Sequence, residues 1–254
     1  MLITIKKANL FFIGLFFCLP VFGQIAPNSD APTFVLPDLR VRLITQSQNF
    51  TWLSELSARQ GLNGRARYHI SAGSRYKIAR NFRLGIHYKG QINNRNNENW
   101  ILEPGIWRFN EESNDLENII SPEFSMRFLL TSSLRLELRN LYEFNLLFHQ
   151  QNLRSNLTFD YFISKQSDNH KSLYLTYEIV LPTNYARHQI NETWYYLGYR
   201  FGVSQNQSLG LSLSYVEWVW TESDEFKVFF PTRGYRTTDQ AIMTSLHWVF
   251  GLNL

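Results

Sequence analysis

Charged side chains recur at alternate positions in the segment that follows residue 64. Arg65, Arg67, His69 and Arg75 share one parity, and the positions between them hold mostly apolar side chains. Because successive side chains of a β-strand point to opposite sides, this spacing predicts strands with one charged face and one apolar face. Arginines and histidines on one face offer two kinds of chemistry. They can form ion pairs with carboxylates, or they can favour anions in a passage.

The elements that must position these side chains are unusually long strands. The alternation runs through residues 65–78 and resumes through 82–92. Strands of soluble proteins average about 5–6 residues, whereas a tilted strand needs about 9–11 residues to cross a bilayer. The pattern therefore predicts an all-β protein, an antiparallel up-and-down transmembrane β-barrel. A soluble β-sandwich or lipocalin also alternates and remains the competing interpretation, with the apolar face turned inward.

The charged parity of these strands is expected to line the barrel lumen. An uncompensated buried ion costs several kcal/mol, so the positive and negative members must pair. We expect ion pairs that fill and stiffen a narrow barrel, or alternatively an electropositive passage that favours anions. The predicted lumen-lining residues are Arg65, Arg67, His69, Arg75, Arg83, His87, Lys89, Arg135, Glu137, Arg139, Glu143, Arg154, Asp160, Glu178, Glu192 and Arg200.

The amino-terminal residues have the parts of a secretory signal peptide. Lys6 and Lys7 precede an apolar run over residues 8–19, and Gly23 offers a small residue for cleavage. The run is too short for the roughly 20 residues of a spanning helix. The predicted organisation is a signal peptide at 1–23, a periplasmic lead-in at 24–38 and an outer-membrane barrel at 39–254. The expected location is the outer membrane of a Gram-negative bacterium.

The alternating runs give a count of twelve strands, which would return both termini to the periplasm. The links at 60–64, 131–133, 164–170 and 204–207 are then periplasmic. The longer segments 110–121, 182–191 and 221–239 are external. Ten strands are the alternative, if residues 93–121 form one excursion and residues 39–59 form one strand.

Composition narrows the function classes. The formal charge of +4 is small and its basic residues are spread along strands, so nucleic acid is not an expected partner. The only cysteine is Cys18, inside the predicted signal peptide, so a disulfide framework is not expected in the mature chain. No ligand spacing for a metal and no Gly-x-Ser-x-Gly turn is present, and no cofactor is expected. Expected partners are outer-membrane lipids, the barrel assembly machinery and small anionic solutes, and a monomer is expected.

Three segments resemble a known family of uncharacterised outer-membrane barrels, domain of unknown function family 2490. They are Arg135-Leu-Glu-Leu-Arg139, Trp194-Tyr-Tyr-Leu-Gly-Tyr-Arg-Phe201 and Leu209-Gly-Leu-Ser-Leu-Ser-Tyr215. The resemblance covers roughly residues 120–254. It implies an outer-membrane location and a polar lumen, and it brings no assigned reaction or ligand. Such barrels commonly end on an aromatic residue, whereas this chain ends on Leu254 after Trp248 and Phe250.

The sequence therefore favours a barrel with a structural role, or with a small passage through a charged lumen, and it does not favour an enzyme. The alternative is an outer-membrane barrel enzyme that acts on lipid or cell-surface substrates. His69 and His87 fall on the charged parity of adjacent predicted strands, where they could approach each other. Acyl transfer would need a serine within hydrogen-bond reach of such a histidine and a group that orients it.

Overall fold

The structure, a computed structural model, describes residues 34–60, 66–92, 100–103, 106–109, 116–147, 149–165, 170–184, 190–221 and 236–253. The predicted signal peptide, most of the predicted lead-in, Arg65 and Leu254 lie outside these residues. No helix within the described ranges is long and apolar enough to cross a membrane.

The described residues form strands of the length that the alternation predicts. In chain order they are β1 (Phe34–Gln46), β2 (Phe50–Gln60), β3 (Ala66–Lys77), β4 (Phe82–Ile92), β5 (Trp100–Glu103), β6 (Ile106–Phe109), β7 (Glu117–Leu129), β8 (Leu134–Asn145), β9 (Gln151–Ser164), β10 (Lys171–Pro182), β11 (Glu192–Ser204), β12 (Gln207–Thr221) and β13 (Arg236–Asn253). Residues 34–38, which the sequence assigns to the lead-in, thus belong to the first strand.

Eleven of the strands described here close into one barrel. Their order around the wall is β1-β13-β12-β11-β10-β9-β8-β7-β4-β3-β2, and β2 returns to β1. Neighbouring strands are antiparallel except at the closing seam, where β1 pairs with β13 in parallel, with Phe34 opposite Ala241 and Gln46 opposite Asn253. The predicted all-β barrel is confirmed, and its sheet is mixed rather than wholly antiparallel.

The predicted strand number is not found. The count of twelve includes residues 100–109 as one predicted barrel strand. In the structure this stretch holds β5 and β6, which pair with each other in a separate two-stranded sheet. The connection from β4 to β7 is therefore a single excursion, as the ten-strand alternative expects. That alternative fails elsewhere, because residues 39–59 fold back as β1 and β2.

Because the number of barrel strands is odd, the first strands run in the opposite direction, relative to the last strand, from the one that the twelve-strand count predicts. We call the rim where β1, β3, β7, β9 and β11 end the turn end, and the opposite rim the long-loop end. The connections at the turn end are 47–49, 78–81, 130–133, 165–170 and 205–206. Those at the long-loop end are 61–65, 93–116, 146–150, 183–191 and 222–235. The predicted grouping of 60–64 with the links at 131–133 is thus wrong, and β1 starts at the rim opposite to the one where β13 ends.

The turns that join long strands are stabilised locally. In the turn at 130–133, the Thr131 Oγ1 accepts hydrogen bonds from the backbone N–H of Ser133 at 3.2 Å and of Leu134 at 3.0 Å. Side-chain acceptors of this kind replace ladder partners where the chain reverses. Short turns of this type bring the charged ends of β7 and β8 together.

The two faces of the barrel wall differ in exposure. Leu197 is 57% exposed and Ile70 is 54% exposed, whereas Asp160 is 2% exposed and Glu123 is 3% exposed. Soluble proteins usually bury leucine and isoleucine and expose aspartate and glutamate. We call the parity of Asp160 and Glu123 the buried face, and the parity of Leu197 and Ile70 the exposed face.

Candidate functional site: the polar network of the buried face

The deepest ionic cluster surrounds Glu123 on β7. Its carboxylate lies 2.7 Å from Nε of Arg75, 2.7 Å from Nε2 of His87 and 2.7 Å from Nε of Arg139. The Glu123 side chain has no exposed surface. Arg75 belongs to β3, which is separated from β7 by β4, so this contact skips a strand. A buried carboxylate needs such partners. Among these contacts, Arg139 Nε donates a charge-assisted hydrogen bond to Glu123, and Arg75 donates one from Nη2 at 3.0 Å.

A second cluster surrounds Arg154 on β9. Its guanidinium group lies 3.0 Å from Glu143, 2.5 Å from Glu178 and 3.8 Å from Glu192. Lys89 adds a second cation, at 3.6 Å from Glu143. The pairs Lys89–Glu143 and Arg154–Glu192 each skip a strand of the wall. This cluster therefore links five strands through side chains alone.

A third group lies near the turn end. Arg127 donates a hydrogen bond from Nε to Glu137 at 2.8 Å, and its Nη2 lies 2.7 Å from the same carboxylate. Arg135 pairs with Asp160, and Arg200 lies 3.7 Å from the same aspartate. Arg135, Glu137 and Arg139 alternate along one face of β8. Each of the three has an ionic partner, but the partners belong to two neighbouring strands.

The first two strands contribute charges that the sequence analysis missed. Asp38 pairs with Arg40, and Arg42 pairs with Glu55. The alternation of these two strands is weak in sequence. Apolar side chains at Pro37, Leu39 and Val41 give way to polar ones at Thr45, Ser47 and Ser54, so neither parity is consistently apolar. The signal that could have found them is the alternation of Asp38, Arg40 and Arg42 itself.

A row of serine, histidine and glutamate crosses from β2 to β3. Ser57 lies directly opposite His69 in the strand register. Ser57 Oγ is 2.6 Å from His69 Nδ1, and His69 Nε2 is 3.0 Å from Oε1 of Glu55. The neutral imidazole with its hydrogen on Nε2 satisfies both contacts, since Nδ1 then accepts from the serine and Nε2 donates to the carboxylate. His69 and His87 bind different carboxylates, so the predicted approach of the two histidines is not found.

Three of the predicted lumen residues stand apart. Arg65 lies outside the described residues. Arg67 and Arg83 form no ion pair with a described carboxylate, although both lie within electrostatic range of glutamates, Arg67 near Glu117 and Arg83 near Glu137. That these sixteen residues line a lumen stays a prediction. The structure shows which of them form ion pairs and with which partners.

The buried face at the long-loop end is apolar on β1 and β11–β13, whereas on β4, β7 and β8 it holds a buried polar group in which Gln91 and Asn145 donate to Glu117. Leu36, Trp194, Val216, Trp218, Ala241 and Met243 form one cluster, each of them between 0% and 6% exposed. The Trp194 and Trp218 rings meet edge to face with their centroids 5.7 Å apart, and Trp194 stacks on Tyr196 at 5.6 Å. Aromatic pairs at such distances add to the stabilisation that burial gives. We call these six residues the apolar cluster.

The exposed face carries an open groove of about 630 Å³. Its lining includes Leu39, Leu173, Leu197, Leu211, Leu213 and Leu246. A contiguous exposed apolar surface of this kind marks contact with another apolar phase or partner.

Within the described part of the chain, no group of three histidine, cysteine, aspartate or glutamate side chains is placed to hold a metal ion. Comparison with known protein families and with curated proteins finds no match to this chain. The resemblance to domain of unknown function family 2490 therefore stays a prediction.

Proposed function

We propose that the chain is an outer-membrane β-barrel whose buried face lines a charged lumen that favours small anions. The observation that supports this most directly is the inverted distribution of side chains on the wall. Leucine, isoleucine and tyrosine side chains of the exposed face point outward around the closed barrel, while arginines pair with carboxylates on the buried face. Lipid outside and polar groups inside is the arrangement of transmembrane barrels.

Contacts that skip a strand support the same orientation. Arg75 reaches Glu123 across β4, and Arg154 reaches Glu192 across β10. In a curved wall, side chains converge on the concave side and diverge on the convex side. Such contacts therefore suit side chains that point toward the barrel axis.

Strand lengths and the two rims agree with this proposal. The shortest barrel strands, β2 and β4, have 11 residues each, and β13 has 18. About 9–11 tilted residues cross a bilayer. Transmembrane barrels have short periplasmic turns and longer external loops. The turn end is then periplasmic and the long-loop end external.

The experiment that tests this is expression in a Gram-negative host, followed by membrane fractionation and planar-bilayer recording. We expect the protein in the outer-membrane fraction, with a shift in gel mobility between unheated and boiled samples. In a salt gradient the reversal potential should indicate anion preference. Recovery of folded protein in the soluble fraction, or cation preference in the bilayer, would contradict the proposal.

One observation favours a second candidate, a barrel hydrolase. Ser57, His69 and Glu55 have the order of contacts that activates a serine nucleophile. This candidate ranks second because Arg42 also binds Glu55, and because the ion pairs elsewhere on the buried face take no part in such chemistry.

The test of the hydrolase candidate is labelling with a fluorophosphonate probe. Ser57 Oγ would bond to phosphorus, fluoride would leave, and His69 would take the hydroxyl proton. Labelling that disappears in Ser57→Ala but persists in Ser54→Ala would support this candidate, and no labelling of the folded barrel would exclude it.

A further inference from the structure

Four arginines gather on the buried face at the turn end. Arg83 lies on β4, Arg127 on β7, Arg135 on β8 and Arg200 on β11. The carboxylates that pair with the last three are Glu137 and Asp160. Three of the four guanidinium groups thus share two carboxylates and Arg83 pairs with neither, so this group of described residues has an excess of positive charge.

Three of the four arginines are held in place. Arg127 donates a hydrogen bond from Nε to Glu137, and its Nη2 lies 2.7 Å from the same carboxylate oxygen. Arg135 pairs with Asp160, and its guanidinium carbon lies 5.1 Å from the centre of the Phe162 ring. A guanidinium that is paired and stacked in this way has few positions to sample, which reduces the entropy lost when it binds a ligand.

Arg200 is held by stacking on Tyr174, with its guanidinium carbon 5.0 Å from the ring centre. That ring lies over Gly198, where any β-carbon would collide with it. Glycine at this position therefore lets the tyrosine lie flat against the wall. Arg200 and Arg135 then approach Asp160 from two sides.

Arg83 differs from the other three. It has no hydrogen bond or ion pair with a described residue, and its Nη1 is buried without a partner there. The charges in range are Arg127 and Arg135, which repel it, and Glu137 and Glu123, which attract it but are bonded to other arginines. A buried donor of this kind costs free energy until an acceptor binds it.

We infer that Arg83, Arg127 and Arg135 form a binding site for a phosphate-type oxyanion at the turn end, with Arg83 as its main donor. Planar guanidinium groups match the oxygen spacing of phosphate and can bind it through two parallel hydrogen bonds. Free phosphate and the phosphate of a lipid headgroup offer the same chemistry. The inference rests on the proposed function, because it requires that this face line a lumen reached from the turn end.

Calorimetric titration of the full detergent-solubilised barrel tests the site, with two probes in separate arms. One arm uses inorganic phosphate, and the other uses dihexanoyl phosphatidic acid below its micelle concentration. The variant is Arg83→Gln. The matched control is Arg80→Gln, which removes the same charge from an exposed position three residues away, in the turn at 78–81. Arg83→Lys is the second variant, since it keeps the charge and loses the planar donor pair.

We expect phosphate to bind the wild type, with affinity about tenfold or more weaker in Arg83→Gln, intermediate in Arg83→Lys and unchanged in Arg80→Gln. Binding of phosphatidic acid alone with the same dependence on Arg83 also supports the site and identifies a lipid headgroup as its source. Equal losses in Arg80→Gln and Arg83→Gln, or no binding of either probe, would overturn it. Bilayer recording on the same samples separates the two proposals. Anion current without binding of either probe refutes the site alone, and absence of both the current and the binding refutes the lumen as well.

Discussion

The two ends of the buried face are filled in different ways. At the long-loop end, Val216 and Ala241 are 0% exposed and Trp194 is 4% exposed. At the turn end, the side chains of Arg135 and Arg200 keep 25% and 32% of their surface exposed. One strand, β11, thus carries closely packed Trp194 near one rim and partly exposed Arg200 near the other.

The largest effect is expected from a substitution that opens a cavity in the apolar cluster. Trp194→Ala should lower the free energy of unfolding by about 3–5 kcal/mol, because a large aromatic side chain leaves a cavity that its neighbours fill only partly. Urea unfolding in lipid vesicles, followed by fluorescence, measures this. Leu197→Ala on the exposed face of the same strand is the control, and its loss should be smaller because lipid fills the space. Equal losses would mean that the apolar cluster is not closely packed.

A similar effect is expected at the middle of the wall, where the charges are deepest. Glu123→Leu leaves Arg75, His87 and Arg139 without their shared carboxylate and should cost about 3–5 kcal/mol of unfolding free energy. Glu137→Leu makes the same change near the turn end, where the glutamate side chain is 17% exposed. Its loss should be smaller, because water reaches Arg127. Equal losses of unfolding free energy in the two variants would show that the smaller exposure of Glu123 does not make its ion pairs more costly to break than those of Glu137.

The next effect concerns which side of the wall meets lipid. Leu197→Arg places a charge on the exposed face near the middle of β11 and should cost about 2–4 kcal/mol of folding free energy in a bilayer. Arg135→Leu on the buried face is the opposite change and should cost less. The fraction of folded barrel on an unboiled gel, compared at matched lipid concentration, measures both. Greater damage from Arg135→Leu would reverse the assignment of the faces.

The smallest effect is expected on ion preference. Arg127→Gln removes one positive charge from the turn end and should shift the reversal potential toward cations, while the free energy of unfolding changes by about 1 kcal/mol or less. Arg80→Gln is the control for charge outside the buried face. A shift of equal size in Arg80→Gln would show that the field of the whole rim, and not this face, sets the preference.

The sequence predicts the barrel because a two-residue period is visible without any tertiary information. Residues 65–92 and 134–163 alternate clearly, and the strands there match the prediction within a few residues. The number of strands is not predictable in the same way. Residues 100–109 have strand composition, and only their pairing with each other removes them from the wall.

The candidate sites depend on register, which the sequence does not state. Ser57 and His69 meet because β2 and β3 pair with these two residues opposite each other. A slip of one residue would turn His69 to the other face. Trp194 falls on the polar parity in the sequence, but its packing against Val216 and Met243 requires β11, β12 and β13 to align.

The parallel pairing of β1 with β13 places the first and the last residue of the described barrel at opposite rims. Phe34 and Asn253 sit at opposite mouths, roughly a membrane thickness apart if the wall spans a bilayer. A protease added to one compartment would then reach a tag fused before the first strand and spare a tag fused after the last.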